Sequence, residues 1–150
     1  MVSGFWVGVP RLDLALKKFA AESELAAKET VTKTAAAAVR YAHANFGGSH
    51  AKGLPHTDGD QPDVVTGYLR RSITMSPAIR TGSGMWETTA SVNAVYGRRV
   101  ELGFHDVDSL GRAYNQRGYP YFGPAVHQAM GEMAAIASMA FRSHLNKLTL

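Results

Sequence analysis

Cysteine is absent from this 150-residue chain, which removes disulfide frameworks, thiolate nucleophiles and cysteine-bearing zinc sites together. Long apolar runs are lacking as well. No stretch approaches the roughly 18 apolar residues that a membrane span requires. Met1 to Pro10 carries Phe5-Trp6-Val7 but neither the basic start nor the extended apolar core of a secretory signal. A soluble protein of a reducing compartment, with no membrane partner, is expected. There is no glycine loop closing on Lys-Ser or Lys-Thr, so nucleotide hydrolysis has no motif to run on. In Thr81-Gly82-Ser83-Gly84 the glycines stand too close for a nucleophile turn, and the run reads as a hairpin tip.

Histidine is present but never at zincin spacing, since positions 43, 50, 56, 105, 127 and 144 contain no i, i+4 pair. Two short acidic clusters have the donors for a cation. His105-Asp106-Val107-Asp108 lacks the glycine turn and distal glutamate of a calcium loop, and Asp58-Gly59-Asp60 would need an oxygen where Leu69 stands. Both read as solvated turns. The expectation is therefore a non-enzymatic chain without cofactor or metal.

What is there has ordinary globular composition, with 45% hydrophobic and 19% charged residues, so one domain over residues 1–150 is expected to fold on its own core. A formal charge of +4 tolerates a nearby polyanion without marking a dedicated nucleic-acid binder. From Arg11 to about Phe46 there is neither proline nor glycine and alanine abounds, which predicts one long helix ending at Gly47-Gly48 in a left-handed cap. Leu12, Leu16, Phe19, Ala26, Thr30, Thr34, Ala37 and Tyr41 fall on one face of it. That stripe is bulky at its start and thin afterwards. Such a helix would reach ~50 Å, more than a domain of this size spans, so part of it is expected to pack on another subunit.

Residues 47–63 hold four glycines and two prolines and read as a long loop. Asp63 is positioned to cap a short helix through about Arg71. Ser72–Thr81 and Met85–Tyr96 flank Gly82-Ser83-Gly84 as a hairpin, with Pro77 marking an edge or a break. Trp86, Thr88, Ala90, Val92, Ala94 and Tyr96 share its buried face. Arg98–Phe104 is a third extended or short helical piece, and 105–119 a second long loop. After Pro124 the stripe from Val126 through Met130, Met133, Ile136 and Ala140 to Leu145 predicts a final helix. The fold class is α+β: a long N-terminal helix and a C-terminal helix packed on a small antiparallel β-sheet.

Arg70-Arg71, Arg98-Arg99, Arg112 and Arg117 interleave with Tyr68, Tyr96, Tyr114 and Tyr119. These residue types contact phosphates and stack on bases, and they are equally enriched where subunits meet. The first reading makes the chain a basic DNA-binding module. The second makes Arg70, Arg71, Arg98 and Arg99 interface residues.

Three blocks resemble one family. Thr66, Gly67, Leu69, Ser72 and Ile73 fit T-G-x-L-x-x-S-I; Tyr96, Val100, Glu101 and Gly103 fit Y-x-x-x-V-E-x-G; Pro120, Phe122, Pro124 and Ala125 fit a proline and aromatic run that opens a final helix. Their order after a long first helix resembles the neck and tail-completion proteins of long-tailed bacteriophages. The resemblance implies a structural virion protein, made in the host cytoplasm and placed at the neck or proximal tail. It further implies a homo-oligomeric ring, by family a hexamer, that completes or joins the tail to the head connector, with other neck and tail proteins as partners. Genomic DNA would pass through the lumen without specific binding. In that setting Leu69 and Ile73 anchor the motif element, Gly67 permits close approach, Phe122 plugs the core, and Glu101 pairs with Arg98 or with a neighbouring subunit.

Overall fold

A computed structural model describes residues 8–54 and 61–148. Helix α1 runs Gly8–Ala44, and at 1.5 Å per residue it is about 55 Å long. It starts slightly before the expected point, because Pro10 in the first turn needs no amide donor and is preset for helix. Neither glycine of Gly47-Gly48 takes a positive φ, which corrects the expected left-handed cap. The helix stops at Ala44 instead, where Asn45 Nδ2 donates 2.8 Å to the Tyr121 carbonyl. A Cβ on Gly47 would lie 3.0 Å from Gln61 Oε1, so close approach, not handedness, is what glycine provides there.

Helix α4, Phe122–Leu145, lies antiparallel along α1. Ala26, Thr30, Thr34, Ala37, Ala38 and Ala42 of α1 meet Ala125, Ala129 and Ala140 of α4 in a seam of small buried residues. Thr30 and Thr34 hydroxyls donate to the carbonyls of Ala26 and Thr30, one turn back, which satisfies them inside that seam. At the far end His144, 8% exposed, places Nδ1 2.7 Å from Glu22 and Nε2 2.9 Å from Glu29. Both ring nitrogens thus face a glutamate carboxyl, which clamps the end of α4 onto α1.

Lys33, by its bond to Glu29, and then His144 hold the Glu29 carboxyl below its ordinary value. A depressed carboxylate contributes stability that is present above the unfolded-state value and is lost as pH falls through the folded one. Acidification through the lower carboxylate range is therefore expected to lower the melting temperature of wild type more steeply than that of Glu29→Gln. Parallel slopes in thermal melts across that range would contradict the assignment.

Between the helices the chain makes antiparallel strand pairs, each two-stranded. Strands β1, Ile73–Met75, and β4, Ala90–Val92, pair as one half of a bent hairpin; β2, Ile79–Gly82, and β3, Met85–Glu87, form the other. The break falls at Ser76-Pro77-Ala78, since proline has no amide to give the ladder. Opposite it, Ser76 bonds instead to Thr88 and Thr89 through its carbonyl and hydroxyl. The expected alternation holds through Ala94 and fails at Tyr96, where the chain turns into helix α3, Gly97–Leu102.

Two expectations are corrected here. The stretch 105–119 contains a second hairpin, β5 (Phe104–Val107) with β6 (Ala113–Gln116). Asp108 organises its turn: Oδ1 accepts from the Leu110 and Arg112 amides at 2.9 and 3.0 Å, and Oδ2 from Arg112 Nε at 2.7 Å. These bonds, the Arg112 amide first, hold its carboxyl below the ordinary value. Secondly, Asp63 does not cap the motif helix, since α2 is only Tyr68–Arg71 and Gly67, at φ +70°, occupies its cap. Residues 63–66 are instead drawn to the start of the long loop, where the Val64 amide donates 2.9 Å to the Gly48 carbonyl.

Candidate functional site

The three sequence blocks meet at one end of the domain. Leu69 and Ile73 are buried from the first block and Ala125 from the third, all in one core cluster with Ala42, Ala94 and Tyr121. Ser72 closes α2 by donating 2.6 Å to the Leu69 carbonyl. Thr66 supports the approach to α2 through its carbonyl, which accepts from Arg71 at 3.2 Å.

Glu101 is the polar centre of this junction. Its Oε2 accepts from the amides of Tyr121 and Phe122 at 2.8 and 2.9 Å, and its Oε1 from Gly123 at 2.8 Å. The first amides of a helix have no partner within it, and Pro124 contributes none. One carboxylate thus satisfies the start of α4 and sits at the positive end of its dipole. This corrects the expected pairing with Arg98: the three amides lie about twenty residues along the chain and bond to both oxygens.

Tyr121, not Phe122, fills the core. It is 1% exposed, whereas Phe122 is half-buried. Its ring lies 5.2 Å from that of Phe46, and its hydroxyl donates 3.3 Å to the Gly97 carbonyl. Burial, then the Glu101 charge, pushes the phenol up to about 12. A Cβ on Gly97 would stand 2.7 Å from Val92 Cγ1 and 3.0 Å from the Tyr121 hydroxyl, so glycine is required for this close approach. Gly103, at φ +80°, reverses the chain from α3 into β5; a side chain there would meet the Gln116 carbonyl at 2.6 Å.

Beside the junction a cleft of about 470 Å³ opens between the base of the long loop, α2 and α3. Tyr68, Tyr96, Tyr119, Phe46 and Val100 form its walls, with Arg70 and Gln116 among its polar groups. The rings of Tyr68 and Tyr96 stand 6.2 Å apart. Burial, followed by the neighbouring Tyr68, raises the Tyr96 phenol above its ordinary value. On the loop side His50 Nδ1 lies 2.9 Å from Asp63 Oδ2, with the Asp63 side chain 2% exposed. Such a surface suits a flat or apolar group with a polar edge.

The arginine pairs are divided. All four are exposed, but Arg71 donates to the Thr66 carbonyl and Arg99 covers the Phe104 ring at 4.2 Å. Pro120 and Pro124 are exposed at the entry to α4. Of the acidic clusters, His105 bonds across its hairpin to Asn115 and Asp108 serves the turn. Asp58-Gly59-Asp60 lies outside the described residues. Among the described residues no group of three His, Asp or Glu side chains is arranged to hold a metal ion.

Sequence reasoning missed Tyr121, Gly97, Asn45 and the His144 clamp. Only Tyr121 left a signal, as an aromatic immediately inside the third block. Compared with known protein families, curated proteins and solved structures, the chain matches none.

Proposed function

We propose that this chain is a structural virion protein that self-associates into a ring at the head-tail junction or proximal tail end of a long-tailed phage. There it completes or joins the tail to the head connector and leaves a lumen for DNA. The supporting observation is the convergence of the three resemblance blocks: Leu69, Ile73 and Ala125 share one core cluster around Tyr121, and Glu101 binds the amides that open the helix carrying Ala125. Two projecting parts are available for contacts between copies. One is the amino-terminal end of α1; the other is the β5–β6 hairpin, nearly all of it exposed, with Leu110 at its tip 74% exposed. In this role the residues serve shape, and no step makes or breaks a covalent bond.

Purified full-length protein is expected to sediment as a multimer whose mass is a small integer multiple of the chain, visible as rings by electron microscopy. Antibody labelling of virions is expected at the neck. Label along the shaft or at the distal tip would move the protein elsewhere, and absence from virions would remove the reading.

The aromatic cleft favours a second reading, a DNA-binding module, because it brings Tyr68, Tyr96, Tyr119 and Arg70 of the interleaved set together. That reading expects single-stranded DNA to bind with steep loss on raising salt from about 50 to 200 mM and to weaken further in Tyr96→Ala. Binding indifferent to Tyr96 would end it.

A further inference from the structure

The volume of the aromatic cleft, about 470 Å³, falls among the ~300–1,000 Å³ sites that take a single small ligand. The rings of Tyr68 and Tyr96 are tilted by 37°, with centroids 6.2 Å apart. A planar group held between two rings needs a gap of about 7 Å, twice the ~3.5 Å of carbon contact, so this pair cannot sandwich one. The two rings form instead a continuous platform, with Tyr68 53% and Tyr96 39% exposed, whose open side can carry one flat group. Gln116 lines the same cleft, and its side-chain amide has both donors and an acceptor to offer the edge of such a group.

The exposed charges of the cleft are of one sign. Lys52 and Arg70 line it and are exposed, and neither has an ion-pair partner among the described residues. Asp63 is the one carboxylate among the described lining residues. Its side chain is 2% exposed and lies 2.9 Å from His50, which withdraws it from the surface. Two unpaired cations beside an aromatic platform suit a ligand that is flat at one end and anionic at the other.

Resting on the DNA-binding reading and narrowing it, we infer that the cleft holds a single nucleotide: the base stacks on the Tyr68–Tyr96 platform with its edge toward Gln116, and Arg70 and Lys52 take the phosphate. A free mononucleotide and a single strand of DNA both present this chemistry.

The test is calorimetric titration of full-length protein with dAMP, deoxyadenosine, inorganic phosphate and a deoxyadenylate strand of about ten residues. The expected result is one dAMP per chain, deoxyadenosine and phosphate each at least tenfold weaker, and dAMP displacing the strand. Tyr68→Ala and Arg70→Glu are each expected to weaken dAMP at least fivefold, with circular dichroism and melting unchanged because both side chains are exposed. Arg142→Glu makes the same change of charge roughly 30 Å along α4 from its start, and dAMP binding is expected to survive it. Tighter binding of the strand than of dAMP assigns the cleft to DNA, and the reverse to free nucleotide, both within the inference. Phosphate as tight as dAMP would mean that the rings take no part, and deoxyadenosine as tight that the cations take none; either overturns it, as does equal weakening by Arg70→Glu and Arg142→Glu. A strand that binds through Tyr96 yet is not displaced by dAMP refutes the single-nucleotide site and leaves the DNA-binding reading standing. Binding of neither dAMP nor the strand refutes both.

Discussion

Replacing Tyr121 with alanine is expected to cost about 3–5 kcal/mol of folding stability, the range for emptying a large aromatic site in a packed core. The ring is almost wholly buried between Phe46 and Gly97, and its hydroxyl and carbonyl both take part in hydrogen bonds. The void would open where α1 ends, α3 begins and α4 starts, so little of the surroundings can collapse into it. For a chain of this length each kcal/mol moves the midpoint by roughly 2–4 °C, which makes the loss easy to read by calorimetry. Phe122→Ala is the contrast, expected to cost distinctly less because that ring is only partly covered. Equal losses at the two positions would mean that the core is centred elsewhere.

The same phenol gives a signature at high pH. Its folded value, about 12, lies above the ordinary phenol value near 10, so the folded state keeps a proton that the unfolded state gives up. The stability this reflects is present in full below the ordinary value and is lost as pH rises through the folded one. Tyr121→Phe, which keeps the ring and removes the proton, is expected to flatten the alkaline slope of the denaturation midpoint.

The second large effect is expected at Glu101. Alanine there would leave the amides of Tyr121, Phe122 and Gly123 without the acceptor they now share. Loss of an ordinary helix cap costs about 0.5–2 kcal/mol, and hydrogen bonds to a charged group are worth about 1.5–3 kcal/mol. With water able to reach some of the freed amides, a total of about 2–3 kcal/mol is the expected result in urea unfolding. Glu101→Gln, which retains one carbonyl oxygen, is expected to fall between alanine and wild type. Amide hydrogen exchange supplies the local test: protection at residues 121–123 should drop first in Glu101→Ala. Protection lost uniformly along the chain would mean that Glu101 acts on the whole core and not on the start of α4.

The seam of α1 was legible from periodicity, down to the change from bulky to small residues along it. What covers each part was not, because a stripe of the right spacing looks the same whether it meets α4 or projects beyond it. The bent hairpin could be read because alternation placed one face inward and Pro77 marked the break. The β5–β6 hairpin left no such trace. Nearly every position in it is exposed, so it rests on ladder bonds and on Asp108, not on a hydrophobic pattern. Asp63 had the residue type of a cap but went to His50. Glu101, standing inside α3, caps α4 from across the fold.

Where the two long helices run and where the first hairpin turns and breaks was settled by sequence, since helix propensity, glycine, proline and apolar spacing act over a few neighbouring residues. Which aromatic is buried, which carboxylate closes α4 and which part of α1 stays uncovered was settled by tertiary structure alone. Each of these depends on partners twenty or more positions away, and no local pattern carries their distance or direction.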